Sequence, residues 1–164
     1  MSGRLSNRII FILSLAGVGV ALYLTLAHLK LADMKCGPTN ECEQVALSKQ
    51  AMGLGIPALE SIPTAALGLG MYLLLVVVSF LRVANLQGTI GSKLPSVQLV
   101  VSLTGVAISG WLTYLEAAVI HHWCRYCVAS AIIVLLIFIT ALIERLNRSS
   151  LPTHTAVIPE GEPS

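Results

Sequence analysis

The sequence predicts an all-α integral membrane protein, a bundle of four transmembrane helices with an extracytoplasmic half-helix between helices 1 and 2. Of its 164 residues, 55% are hydrophobic and 11% are charged, whereas soluble domains carry about 25% charged residues. Four separate apolar stretches also approach the length of about 20 residues that crosses a hydrocarbon core. Because backbone groups in lipid must hydrogen-bond within their own segment, each stretch is expected to be a helix.

The four predicted spans are Ile9–Leu31, Pro63–Leu81, Val97–Ile120 and Cys127–Ile143. The first span follows two arginines, as a signal peptide does. It is longer than the apolar core of about 7–15 residues that a signal peptide has, so a membrane span is favoured. One membrane domain, residues 1–148, is therefore predicted. The tail, residues 149–164, contains three prolines and few large apolar residues, so it is expected to be disordered.

The positions of the lysines and arginines predict that both termini are cytoplasmic. With the N-terminus inside, six basic residues lie inside and four lie outside, where acidic residues offset them. The six inner residues are Arg4, Arg8, Arg82, Lys93, Arg145 and Arg148. This orientation puts all four cysteines on the extracytoplasmic, oxidising side of the cell inner membrane. The net charge of +2 is too small to indicate binding to nucleic acid.

A long loop, residues 32–62, joins the first two spans, where helix bundles usually have a short connection. Cys36 precedes a Gly-Pro turn, and Asn40 is a candidate helix cap with Glu43 three residues later as its capping-box partner. The segment Glu41–Met52 is therefore predicted to form the half-helix, lying over the bundle with Cys42 in its first turn.

A C-x-x-C motif, Cys124 to Cys127, opens the fourth span. The first turn of a helix presents unpaired N–H groups and the positive end of the helix dipole, which favour the reactive thiolate. Arg125 adds positive charge. Cys127 is expected to point into the bundle, towards a reactant dissolved in the membrane. Cys124 is expected to lie nearer the surface, where it can exchange with a second thiol pair.

The second pair, Cys36 and Cys42, is close enough in sequence for a disulfide, which needs Cα atoms about 4.4–6.8 Å apart. With one cysteine on a turn and one on the half-helix, this pair is predicted to carry electrons from an external thiol to Cys124. Two alternatives are a purely structural bridge and a zinc site. His121 and His122, with the C-x-x-C, would supply the zinc ligands.

Polar side chains near the ends of the spans are candidates for binding a ligand. Glu116 lies near the outer end of the third span, and an ionisable residue there indicates a function. It is predicted to exchange a proton or to hydrogen-bond a ring carbonyl, unless its carboxylate only reaches the interface. The hydroxyls of Ser48 and Thr64 are also able to hydrogen-bond a ring, but isolated hydroxyls do not by themselves indicate a site.

Together these motifs resemble the bacterial vitamin K epoxide reductase family, over roughly Arg8 to Leu146. The matching features are Cys36 and Cys42 with five residues between them, Ser48, Gly55-Ile56-Pro57, and the run W-C-x-Y-C-V-A-S-A from Trp123 to Ala131. The resemblance is to the form without a fused thioredoxin-like domain. The extra segment Ala58–Ile62, before the second span, departs from the family pattern.

The resemblance implies a four-helix bundle that encloses a quinone, ubiquinone or menaquinone, with the half-helix as a lid. It implies that Cys124 and Cys127 form the quinone-side active site, that Cys36 and Cys42 form the shuttle pair, and that Ser48 lies near the quinone. No metal is expected. The remaining candidates for the ring pocket, chosen by turn spacing, are Thr64, Tyr72, Leu112, Glu116 and Ala131.

The resemblance also implies an electron donor that is a separate extracytoplasmic protein with a thioredoxin fold. The expected function is a thiol oxidoreductase that passes electrons from this partner to a membrane quinone and so supports disulfide formation in exported proteins. Two alternatives are a vitamin K epoxide or quinone reductase of a eukaryotic secretory membrane and a non-catalytic scaffold held by disulfides.

Overall fold

The computed structural model describes residues 3–29, 63–84, 89–115, 117–118 and 124–149. They form four long helices: α1 (Gly3–His28), α2 (Thr64–Val83), α3 (Thr89–Leu115) and α4 (Arg125–Ser149). Each helix contains a stretch long and apolar enough to cross a membrane. The predicted bundle of four transmembrane helices is therefore confirmed. The predicted half-helix, residues 41–52, lies outside the described residues, as do residues 150–164 of the predicted tail.

The helices extend beyond most of the apolar spans read from the sequence. α1 begins at Gly3 rather than Ile9, and α4 continues through Ser149, the first residue of the predicted tail. α3 begins at Thr89 rather than Val97. Apolar spans mark only the part of a helix that lies in hydrocarbon, whereas backbone hydrogen bonds continue to form in the interface.

The four helices form a ring in which each packs on the two next to it. α1 contacts α2 and α4, and α3 also contacts α2 and α4. Consecutive helices cross the bundle in opposite directions. α2 and α4, which face each other across the axis, therefore run in the same direction. Side chains long enough to cross the axis can therefore join α2 to α4. We call the end of the bundle that carries Cys124 and Cys127 the thiol end, and the opposite end the distal end.

Each helix turns one stripe of residues, three or four apart, towards the axis. In α2 the stripe is Tyr72, Leu75, Val78 and Ser79, and in α4 it is Val134, Ile137, Ala141 and Glu144. Large apolar side chains such as Leu74, Val77 and Phe80 are exposed on the opposite face of α2. An outer face of this kind suits a bundle whose solvent is lipid.

Charged side chains are buried at the distal end, where they join three helices. Arg82 of α2 donates to the carboxylate of Glu144 on α4 and to the side-chain carbonyl of Gln98 on α3. The side chains of Arg82 and Glu144 are only 8% and 4% exposed. Arg148, one turn further along α4, donates to the same carboxylate at 2.6 Å. We call these four residues the distal cluster.

Hydrogen bonds between uncharged groups connect the distal cluster to α1. The amide nitrogen of Gln98 donates to the hydroxyl of Ser79 at 2.8 Å. The amide nitrogen of Asn7, on α1, donates to the backbone carbonyl of Ser79 at 2.9 Å. All four helices are therefore tied together at this end by polar contacts that are shielded from solvent.

Gly17→Ala is expected to destabilise the bundle by about 1–3 kcal/mol, as overpacking of a filled core does. The Tyr72 ring lies directly against α1 at Gly17, where an added Cβ would overlap the ring. Tyr72 is 1% exposed, so its ring is enclosed by the core that it would have to shift within. Thermal unfolding in detergent micelles measures the effect.

Gly19→Ala is the matched control, because it makes the same change on an exposed face of the same helix. No atom of the described residues lies within 4 Å of a Cβ at Gly19. Stability should be kept or slightly raised there, since alanine favours helix more than glycine does. Equal melting temperatures for the two variants would show that the close contact between Gly17 and Tyr72 does not affect the stability of the bundle.

Candidate active site

Cys124 caps the N-terminus of α4 with its own atoms. Its backbone carbonyl accepts a hydrogen bond from the Val128 amide at 3.0 Å, which begins the helix. Its Sγ accepts a bond from the backbone amide of Cys127 at 3.3 Å. A sulfur that receives an N–H at the positive end of a helix dipole is favoured as a thiolate, the nucleophilic form of cysteine. The geometry therefore suits Cys124 to thiol–disulfide exchange.

Cys127 lies on the stripe of α4 that faces the bundle axis. Val134 and Ala141, which follow it at intervals of seven residues, are both buried in the core, and Cys127 itself is half-buried. Its predicted direction, into the bundle, agrees with this position. Cys124 lies one residue before α4, further towards the thiol end than Cys127 as expected, although it is only 1% exposed. Its sulfur folds back over the first turn of α4 as a cap, which the sequence spacing did not reveal.

An aromatic contact holds the C-x-x-C turn against α1. Tyr126, between the two cysteines, packs on Tyr23 with ring centroids 5.0 Å apart and an interplanar angle of 50°. Tilted pairs of this kind stabilise by about 0.5–1.5 kcal/mol beyond their buried area. Tyr23 was not predicted from the sequence, because its partner is remote in sequence and no motif marks it.

Tyr72 crosses the bundle axis from α2 to α4. Its hydroxyl donates to the backbone carbonyl of Ser130 at 2.9 Å and lies 3.0 Å from the Ser130 hydroxyl. Ser130 is one turn after Cys127 on α4. The structure thus brings the predicted pocket residue Tyr72 close to the C-x-x-C, through Ser130, which was not singled out in the sequence.

Gly68 lies one turn from Tyr72 towards the thiol end, on the stripe of α2 that faces the axis. α2 and α4 run parallel, and Tyr72 contacts Ser130. Gly68 and Cys127 therefore lie at similar heights along the bundle axis, each about 4–6 Å closer to the thiol end than this contact. No atom of the described residues comes within 4 Å of a Cβ at Gly68. Among the described residues, fewer side chains therefore occupy the bundle axis at the height of Cys127 than at the height of Tyr72. Thr64, half-buried, lies one turn further out on the same stripe.

The height of Leu112 follows from a contact near the distal end. Arg145 of α4 donates to the hydroxyl of Ser96 on α3 at 3.2 Å. At 1.5 Å per residue, Leu112 lies about 24 Å from Ser96 towards the thiol end, and Cys127 lies about 27 Å from Arg145 in the same direction. Leu112 and Cys127 therefore lie within one turn of each other in height. Leu112 is half-buried, as is Ala131 one turn below Cys127.

The remaining candidate residues lie outside the described part of the chain. They are Cys36, Cys42, Ser48, Glu116, His121 and His122. Among the residues with described side chains, no three His, Cys, Asp or Glu side chains are grouped as metal ligands. The zinc alternative depends on the two histidines, which lie outside the described residues.

Comparison with models of known families gives a match. The model of the vitamin K epoxide reductase family matches residues 8–142. The matched region includes all four cysteines and every candidate pocket residue. A comparison with curated proteins finds no match to this chain.

Proposed function

Because the chain belongs to the vitamin K epoxide reductase family and is a membrane oxidoreductase, we propose that it transfers electrons from protein thiols to a membrane quinone. The donor in this proposal is an extracytoplasmic protein with a thioredoxin fold, and the outcome is disulfide formation in exported proteins. The observation that carries the proposal is the C-x-x-C at the start of α4, with one cysteine capping the helix and the other facing the axis.

In the proposed reaction, the partner's two thiols are oxidised to a disulfide while the Cys36–Cys42 disulfide is reduced. The reduced loop pair then exchanges with the Cys124–Cys127 disulfide, by attack of a loop thiolate on Cys124. Finally Cys124 and Cys127 close their disulfide again and release two electrons and two protons. A bound quinone would accept these two electrons and two protons. Thiols and disulfides balance at each exchange, and quinone keeps the extracytoplasmic side oxidising.

The residues around Cys127 fit an apolar ring. Leu112 and Ala131 offer apolar side chains near the height of Cys127, and Gly68 lets a ring approach the backbone of α2. Thr64 has a hydroxyl at the outer end of the same stripe. Sites of this composition, mostly apolar with a few polar groups, are usual for cofactors. We assign these residues, with Ser48 and Glu116 from the remaining part of the chain, to the quinone pocket. Tyr72 lies one turn below Gly68.

The test is quinone reduction by the full chain in proteoliposomes that contain ubiquinone or menaquinone, with a reduced thioredoxin-fold protein or dithiothreitol as electron donor. Loss of quinone absorbance is expected, and it should require Cys124 and Cys127 with either donor. Thiols that stay inert to both quinones would support a scaffold instead. Faster turnover with vitamin K epoxide than with either quinone would favour the epoxide reductase.

The partner and the orientation can be tested in cells. Single-cysteine variants of the loop pair should trap a mixed disulfide with an exported thioredoxin-fold protein. An impermeant thiol reagent should label Cys36 and Cys124 from the same side, with both termini on the other. If the two cysteines were labelled from opposite sides of the membrane, electrons would have no path between the pairs.

Gly68→Leu is expected to raise KM for quinone by about tenfold or more. The new side chain would project from the axis-facing stripe of α2 at the height of Cys127 and occupy the space assigned to the ring. Removal or blocking of a well-filled apolar contact changes binding by about 1–3 kcal/mol. Steady-state kinetics at varied quinone concentration measure KM.

Gly70→Leu supplies the control for this variant, with the same change two residues away on an exposed face. No atom of the described residues lies within 4 Å of a Cβ there. Its KM should stay within about twofold of the wild-type value. A Gly68→Leu variant with normal kinetics would place the quinone elsewhere.

A further inference from the structure

We infer that Tyr72 is a positioning residue for Cys127, acting through its hydrogen bond to Ser130 rather than by contact with the electron acceptor. This inference deepens the proposed function and rests on it. It assigns the Tyr72 hydroxyl to holding the first turns of α4 in place. The evidence is the fixed ring of Tyr72, the partner of its hydroxyl and the position of that partner relative to Cys127.

The ring of Tyr72 is enclosed where α1, α2 and α4 meet. It is 1% exposed and lies against the backbone of α1, where Gly17 leaves room for it. A ring confined in this way points its hydroxyl in one direction, across the axis to α4. The residue therefore acts as a rigid spacer between α1, α2 and α4.

The Tyr72 hydroxyl is hydrogen-bonded to α4. It has two oxygen partners on Ser130, the backbone carbonyl at 2.9 Å and the side-chain hydroxyl at 3.0 Å. A phenol has one hydrogen to donate, and the carbonyl, which has no hydrogen, must be its acceptor. The Ser130 hydroxyl can in turn donate to the phenol oxygen. Neither contact leaves the Tyr72 proton directed at the space beside Cys127.

Ser130 stands one turn after Cys127, and α4 begins at Arg125. The first turn of a helix lacks part of its internal hydrogen bonding and frays more easily than the middle. Two contacts hold this turn at different points: Tyr126 packs on Tyr23 of α1, and Ser130 is bonded to Tyr72 of α2. Cys127 lies between these points, so its height and direction depend on both.

A small shift of a reacting group is costly, since a displacement of about 1 Å can lower a rate by about a hundredfold. Loss of the Tyr72 hydroxyl should loosen the Cys127 turn without removing any group that touches the acceptor. Tyr72→Phe is therefore expected to lower kcat for quinone reduction by about tenfold. KM should stay within about twofold of the wild-type value.

Two further variants identify the atoms involved. Ser130→Ala keeps the backbone carbonyl that accepts the hydrogen bond, so its kcat should fall by no more than about threefold. Tyr114→Phe makes the same chemical change at a tyrosine of α3 that is 59% exposed, and its kinetics should be normal. Tyr72→Phe with raised KM and normal kcat would mean that the hydroxyl binds quinone, and the inference would fail.

A second readout does not depend on quinone activity. In a chain whose other cysteines, Cys36, Cys42 and Cys124, are replaced by serine, Cys127 can be alkylated by N-ethylmaleimide in detergent. Tyr72→Phe should raise the alkylation rate about threefold or more, because a half-buried thiol on a loosened turn is more accessible. Tyr114→Phe should leave the rate unchanged.

The two readouts separate the inference from the proposed function. An unchanged alkylation rate in Tyr72→Phe would overturn the positioning role, whatever the enzyme reduces. A wild-type chain without quinone activity would refute the proposed function, while the alkylation rates would still test the role of Tyr72. A lowered melting temperature with normal alkylation and normal kcat would leave Tyr72 only a structural role and would also overturn the inference.

Discussion

Cys127→Ala is expected to lower the rate of quinone reduction by about a thousandfold or more, the largest effect predicted for any residue of the chain. In the proposed reaction Cys127 is the thiol that faces the acceptor, and loss of a residue that reacts covalently removes the step itself. Initial rates in proteoliposomes, with dithiothreitol as the donor, measure the effect directly.

Cys127→Ser distinguishes lost chemistry from lost packing. Serine nearly matches the size of cysteine, but its hydroxyl is a weak nucleophile at neutral pH. Both variants should therefore be inactive while keeping wild-type melting temperatures to within a few degrees. If Cys127→Ala reduced quinone at the wild-type rate, the assignment of Cys127 to the acceptor would have to be given up.

Glu144→Gln should destabilise the bundle by about 3–5 kcal/mol, a large part of the total stability of a small domain. The substitution keeps the shape of the side chain but leaves the buried guanidinium of Arg82 without its counter-charge. Removing one partner of a buried pair costs this much because the other charge stays desolvated. Thermal unfolding in detergent micelles measures the loss.

A double-mutant cycle tests the origin of this loss. Arg82→Gln combined with Glu144→Gln should be no less stable than Glu144→Gln alone, since no buried charge is then left unpaired at that position. Arg8→Gln, which removes an exposed charge from α1, should change stability by no more than about 0.5 kcal/mol. Strictly additive losses from Arg82 and Glu144 would contradict a coupled pair.

Several features of this protein could be predicted from residues close together in sequence. The apolar spans predicted four helices, and the C-x-x-C was correctly placed at the start of the fourth. Cys127 was predicted to point into the bundle, and its position on the axis-facing stripe of α4 agrees with this. Family membership likewise follows from local motifs, which do not depend on contacts between helices.

Other features required the packing of one helix on another. Arg82 was predicted only as a cytoplasmic cation, yet it is buried against Glu144, and Glu144 was not singled out at all. The bond from Tyr72 to Ser130 and the contact of Tyr23 with Tyr126 were also not foreseen. Each joins helices that are far apart in sequence, so local periodicity carries no information about which residues will meet.

The number of helices and the position of the C-x-x-C at the start of the fourth follow from the sequence taken alone. The tertiary structure alone decided which buried groups meet and how deeply Cys124 is enclosed. Length and apolar content along one segment suffice to define a membrane span, because they do not depend on a neighbouring helix. The height and rotation of one helix against another are instead set by close packing, such as the fit of Tyr72 against Gly17.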